Sequence, residues 1–344
     1  MLPTSSLLPS RSRGLTLIEL MVSMTIGLII LLGMVLMFVN NTKSQAELEK
    51  SNRQTESGRY AIQLMSDDIY NAGYYGEFDP SDLPNPALPG LCDATLDTLR
   101  AALALPVQGL DDSAIGESCL KDIKTNTDVL LVRRVETCLV GKGNCEPEGV
   151  GGAFFQASLC NNGKELGNAD ATKHFSLDTD VALLTRHKRD CTDLIAGTPA
   201  EKRRFVTHIY YIANNHKTGD KIPTLMRATL SNSAPLGFTV EPMAEGIESM
   251  HFEYGVDTNL NGAPDLYTPA PATATAWRDV VAVKIHMLSR NTEQSPGYTD
   301  TNVYTLGLNA GGTPNQPVIT GTNYKRHVFS KMVTIPNTAG RKSP

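Results

Sequence analysis

GLTLIELMVSMTIGLIILLGMVLMFV, residues 14–39, decides how this chain is built. Arg11, Arg13 and Gly14 stand before an apolar run that carries one charge, Glu19, near its start. From Leu20 to Val39 no side chain ionises. As an α-helix rising about 1.5 Å per residue, the run crosses the roughly 30 Å hydrocarbon core of a bilayer. A carboxylate near the lipid-buried end of such a helix costs about 2.5 kcal/mol or more, so it marks a function. The arginines ahead of the run keep that end cytoplasmic and place the rest of the chain in the periplasm or outside.

A secretory signal puts its apolar stretch before the cleavage site, and that site carries small residues. Here the run ends in Phe38-Val39-Asn40-Asn41, which is no such site. A plain anchor explains the length and the arginines, but it requires neither Gly14 nor Glu19. A short hydrophilic leader ending in Gly14, followed by apolar Leu15, resembles a type IV prepilin. Leu15 departs from the Phe or Met more usual at that position.

Beyond the apolar run about 300 residues remain, enough for one large domain or two small ones with a real core. The net charge of −5 is mild and argues against a dedicated nucleic-acid binder. Two basic clusters, Arg186 to Arg189 and Lys202 to Arg204, read as solvated faces. All six cysteines, Cys92, Cys119, Cys138, Cys145, Cys160 and Cys191, fall in the exported part. An even number in an oxidising compartment reads as up to three disulfides, with buried thiols as the alternative. Connectivity is open; the one local expectation is Cys138 with Cys145 around Gly141-Lys142-Gly143-Asn144.

Past the lipid-length run the helix should continue. Gly58, Ile62, Met65, Ile69 and Ala72 recur at steps of four and three, on one helical face. Glu56, Arg59, Gln63, Asp67 and Asp68 are expected largely elsewhere, which makes the segment amphipathic. Gly73, ahead of Tyr74-Tyr75, should end it. Leu96 to Leu105 is a possible short helix. Strands are expected at 127–135, 204–213, 247–254, 280–288 and 328–335, which are rich in Val, Ile, Thr and aromatics. Asn214-Asn215 and Asn309 to Gly312 are expected as turns. The class is α+β, a long N-terminal helix packed on an antiparallel sheet. The divisions expected are a leader at 1–14, a transmembrane half-helix at 15–39, an amphipathic half at 40–73 and a β-rich head at 74–344.

MAEGIESMHFEYGVDTNLNGAPDLY (243–267), WRDVVAVKIHMLSRN (277–291) and YKRHVFSKMVTIPN (324–337) resemble the PilW-type minor pilins. RYAIQLMSDDIYNAGYYG (59–76) is similar both to that family and to the related J-type minor pseudopilins of type II secretion. The resemblance implies that a prepilin peptidase cuts after Gly14 and methylates the new amine of Leu15. It also implies an inner-membrane protein assembled by a platform and a cytoplasmic ATPase into a tip or priming complex. The partners implied are other minor pilins, the major pilin and a tip adhesin. Glu19 would be the assembly contact, meeting the N-terminal amine of a neighbouring subunit. A pseudopilin or a membrane-anchored adhesin is the alternative.

No G-x-S-x-G, H-E-x-x-H or G-x-x-x-x-G-K-[ST] occurs. The histidines lack ligand spacing, and His251 and His286 read as ordinary residues of strands. With the filament-type N-terminus this argues against an enzyme. One stretch has metal-binding chemistry: Asp257, Asn259, Asn261, the Ala263 carbonyl and Asp265 offer oxygens at alternate positions, with Gly262 for a sharp turn. That pattern matches the first half of an EF-hand-like calcium loop, although Thr268 stands where the bidentate Glu belongs. The alternative is a hydrophilic hairpin loop, since Asp, Asn and Gly are turn residues in their own right.

Overall fold

The computed structural model describes residues 14–84, 87–111, 118–233 and 235–342, so the leader expected at 1–14 lies, apart from Gly14, outside the described residues. In chain order the elements are α1 (Leu17–Tyr70), α2 (Leu96–Ala101), β1 (Val107–Leu110), β2 (Val129–Val135), β3 (Phe154–Ala157), β4 (Phe175–Asp178) and β5 (Lys202–Ala213). There follow β6 (Thr224–Leu230), β7 (Phe238–Glu245), β8 (Ile247–Val256), β9 (Leu266–Thr268), α3 (Ala274–Arg278), β10 (Val280–Arg290), β11 (Arg326–Thr334) and α4 (Pro336–Lys342). Two compact units divide the chain, residues 1–50 and 51–344.

In the first unit α1 is apolar on every side as far as Val39, and its large side chains from Leu17 to Val39 are exposed. A helix with no polar face is built for lipid or for other helices. Ser23, Thr25 and Thr42 return their hydroxyls to the carbonyls of Glu19, Val22 and Phe38, so they present no unpaired donor.

The second unit begins inside α1 and holds two antiparallel sheets. One has seven strands, running β1-β2-β5-β3-β4, with β6 also on β5 and β7 on β6. The other has four, in the order β11-β10-β8-β9. Ala61, Ile62, Met65, Ile69 and Ala72 enter one cluster with Val132 and Tyr210 of the first sheet and Met250, Phe252 and Val283 of the second. Gly58 is required by this packing, because a Cβ there would lie 2.2 Å from the Phe329 ring. A second core gathers Tyr75, Phe78, Phe155, Phe175 and Phe205, whose rings tilt or stack against one another.

The helical face expected from the sequence is buried, and α1 ends at Tyr70 with Gly73 at φ +70° just beyond. That left-handed residue donates its N–H to the Arg133 carbonyl, handing the helix end to β2. The short helix expected at 96–105 corresponds to α2 and a 3₁₀ turn at Ala102–Ala104. Asp68 departs from the expected outer face and is buried. Its carboxylate accepts from Arg134 Nε at 2.7 Å and the Tyr210 hydroxyl at 3.0 Å, and lies 2.7 Å from His208 Nδ1. The cluster Lys202 to Arg204 is likewise no solvated face. It opens β5, and Arg204 is buried, donating to Gly151 O and Asn232 Oδ1 and lying over the Phe154 ring.

Asp68 therefore ties the helix to the sheet. Burial pushes its carboxyl upward, but the His208 and Arg134 charges and hydrogen bonds outweigh this and hold it well below the usual carboxylate range. A depressed carboxyl adds stability above its unfolded value of about 3.9, and that stability drains as pH falls through the folded value. Asp68→Ala strands Arg134 and His208 in the interior and should cost about 3–5 kcal/mol. A denaturant midpoint measured at neutral pH tests it; a loss under about 1 kcal/mol would show that the ion cluster contributes no net cohesion.

The cysteines meet as Cys92–Cys119, Cys138–Cys145 and Cys160–Cys191, with Cα separations of 5.6, 6.1 and 5.6 Å. Each closed loop stabilises a fold by about 2–4 kcal/mol. The first pair packs against the core of Leu131, Ile209 and Tyr211. The second closes a short loop after β2, and the third encloses β4.

Candidate functional site

The N-terminal feature is local. Gly14 and Leu15 precede the helix and are exposed. A Cβ on Gly14 would meet nothing within 4 Å, so the described fold makes no demand for glycine at that position. Thr16 then caps the helix. Its Oγ1 accepts from the Glu19 N–H at 3.3 Å, while Glu19 Oε2 accepts from the Thr16 N–H at 2.9 Å and the Thr16 hydroxyl at 2.8 Å. This is a capping box, in which two otherwise unpaired amides of the first turn are satisfied reciprocally. Thr16-x-x-Glu19 carries that signal in the sequence, and a reading occupied with the charge of Glu19 passes over it.

The acidic loop lies between β8 and β9. Asp257 is buried, and its two oxygens accept from the Asn261 and Gly262 amides at 3.1 and 2.8 Å. Asn259 Oδ1 accepts from Asn261 N, and Asn261 Oδ1 from Ala263 N. Asp265 closes the loop, its Oδ2 accepting from the Thr258 amide and hydroxyl and the Asn259 amide, and its Oδ1 from Asn259 Nδ2. Those bonds hold the Asp265 carboxyl below the ordinary range. Leu260 and Gly262 take positive φ, so the backbone does curl around the side-chain oxygens. Thr268 is committed to β9, paired with Tyr254, and closes no coordination sphere.

A different face of the head was not legible. On β8, alternate residues Met250, Phe252 and Tyr254 enter the core, while Ser249, His251 and Glu253 point to the other side of the sheet. The segment joining β10 to β11 covers that side: Leu308 N–H donates to Glu253 Oε1 at 2.8 Å, and Leu308 O lies 2.9 Å from His251 Nε2. Gly307 permits the approach, because a Cβ there would come within 3.0 Å of His286 and Glu253. Both faces of β8 are buried as a result, and its polar residues are interior groups rather than surface ones. His251 lies in a strand as expected, and in the interior; Asp128 Oδ2 and Asp111 Oδ1 lie 2.8 and 3.9 Å from its Nδ1. Asp111 and Asp128 stand over a hundred residues away from it in sequence, beyond the reach of any spacing motif.

Residues 209–337 match the family model of Type IV Pilus-assembly protein W, and residues 9–35 match that of the prokaryotic N-terminal methylation motif. No curated protein matches the chain. A type IV-like pilin from Thermus thermophilus is similar among solved structures, with 12% sequence identity, covering 83% of this chain and 97% of its own, at a TM-score of 0.38. The first family match takes in the second half of β5 and every later strand; the second takes in the capping box and most of the apolar run.

Proposed function

We propose, given that this chain is a PilW-type minor pilin with a role in type IV pilus assembly, that it is held in the inner membrane by residues 15–39 and then drawn into the filament or its tip priming complex. The observation that carries this is a prepilin methylation motif continuous with an apolar stretch of α1, up to Val39, whose one charge is Glu19, on the same chain as the W-type domain. We read the N-terminus as cytoplasmic and the head as periplasmic, from Arg11 and Arg13 ahead of the helix. A prepilin peptidase is the maturing partner, cutting between Gly14 and Leu15. Other minor pilins, the major pilin and a tip adhesin are the assembly partners. The role is structural, since the families matched are those of assembly proteins and not of enzymes. Filaments sheared from cells and probed for this chain should contain it; its confinement to the membrane fraction of piliated cells would refute incorporation.

Calcium at the 257–265 loop belongs to the same reading of the head. Each oxygen of Asp257, and those of Asn259 and Asn261, accepts one backbone amide and keeps a second lone pair. With Asp265 Oδ1, which accepts one side-chain amide, and the Ala263 carbonyl, they would supply the oxygen ligands. Lacking a bidentate Glu, it belongs with weak sites of about 10⁻⁴–10⁻³ M. The full chain in detergent should melt higher with several millimolar calcium, by mass action, and Asp257→Ala with Asp265→Ala should remove the gain. An unchanged melting curve would leave the loop as a hairpin turn held by its own amides.

A further inference from the structure

We propose that Asp111, Asp128 and His251 hold a divalent transition-metal ion at the junction of the two sheets, with Zn²⁺ the ion this donor set prefers. Asp111 follows β1 and Asp128 precedes β2 in the seven-stranded sheet, whereas His251 lies on β8 of the four-stranded one. One ligand atom from each lies within 4.8 Å of the others.

The imidazole makes this more than a cluster of acids. His251 is 1% exposed. Its Nε2 lies 2.9 Å from Leu308 O, and a carbonyl only accepts, so Nε2 carries the hydrogen. In the neutral ring Nδ1 then presents a lone pair. That atom is buried and faces Asp128 Oδ2 at 2.8 Å and Asp111 Oδ1 at 3.9 Å. Positive charge among these three atoms is supplied either by a second proton on the ring or by a bound cation, and the three-residue cluster has the donor set for the latter. Metal bonds of about 2.0–2.2 Å to N and O place neighbouring ligands about 3.0–3.6 Å apart, which the two distances bracket.

The surroundings suit a metal. Leu308 O fixes the ring's tautomer and direction, and the Phe252 N–H donates to Asp128 Oδ2 at 2.8 Å, orienting that carboxylate. A cavity of about 230 Å³ adjoins the site, lined by Asn126, Asn309, Asn315 and Gln316 besides the two aspartates. It has room for water to complete the coordination, and partly exposed Asp111 stands at its entry. Two carboxylates balance a 2+ charge, and the imidazole favours Zn²⁺ over Ca²⁺ or Mg²⁺. Such an ion would tie the first sheet, the second sheet and the β10–β11 segment at one point, and the site is separate from the 257–265 loop.

The full-length chain in detergent, stripped with a chelator, should bind one equivalent of Zn²⁺ by calorimetry, bind Mn²⁺ more weakly, and melt higher with Zn²⁺. Asp111→Asn, a near-isosteric change at a partly exposed position, should weaken Zn²⁺ at least tenfold; His251→Gln should abolish stoichiometric binding. Asp257→Ala with Asp265→Ala should leave Zn²⁺ affinity unchanged. If His251→Gln does not fold, Asp111→Asn decides alone. Absence of stoichiometric Zn²⁺ binding to the wild-type chain, or binding unaltered in Asp111→Asn, overturns the site and leaves Nδ1 protonated and paired with Asp128.

Discussion

Gly14→Arg should accumulate as uncut precursor in the membrane, with no chain beginning at Leu15 and none in sheared filaments. The fold itself asks nothing of this position. A side chain at residue 14 meets no atom within 4 Å, so neither helix nor cap changes when glycine is replaced. Sensitivity at this position therefore reports recognition by the peptidase and not folding. The consequence for assembly is electrostatic. Uncut, the helix keeps Arg11 and Arg13 just ahead of the apolar run, and burying those charges among packed helices without partners is heavily penalised. Gly14→Ala separates the two ideas, since a methyl group adds no charge and should permit partial cleavage. Mass spectrometry of the N-terminus decides. Wild-type chain retaining Met1 in cells with active peptidase, or Gly14→Arg starting at Leu15, would remove Gly14 from the processing site.

Much of this architecture can be read from the chain because its signals are local. The run 14–39 identifies itself by length, and the face from Gly58 to Ala72 by steps of three and four. Strands β2, β5, β8, β10 and β11 are long, contain β-branched or aromatic residues, and lie within about two residues of where composition puts them. Strands β1, β3, β4 and β9 have three or four residues each and owe their form to neighbours. Pro242 sits inside β7, where it argues against a strand, and the β6–β7 pairing shifts register beside it. Asp68 is the instructive error. It stands three residues after Met65 and four before Ala72, squarely on the buried face, and only its charge sends it outward in a reading by polarity. Its partners Arg134, His208 and Tyr210 lie 66 to 142 residues away, which no periodicity can supply. The same holds for Glu248, whose ion pairs with Arg326, itself bound to Asp300, form only when β8, β11 and the covering segment assemble.

Glu19→Val should insert and be cleaved normally yet be largely lost from sheared filaments, with fewer filaments per cell. In the described chain the Glu19 carboxylate is engaged in its own helix start, taking the Thr16 amide and hydroxyl. That offers a purely local role, as the N3 member of a capping box. The competing role is as partner to a positive amine. After cleavage Leu15 bears that amine four residues upstream, and a carboxylate in lipid is tolerable with a partner. An amine on the same chain would neutralise Glu19 without linking anything; one on a neighbouring subunit would fix the axial register as the subunit leaves the bilayer. Glu19→Gln discriminates, because a Gln at this position of a capping box still reaches back to the Thr16 amide while carrying no charge. If the charge sets register, Gln and Val lose incorporation alike, and Thr16→Val, which removes the hydroxyl and keeps the charge, incorporates normally. If the cap is what matters, Gln behaves as wild type and Thr16→Val fails. Normal piliation with Glu19→Val fully incorporated would end both roles, leaving the one charge of the apolar run without a part in assembly.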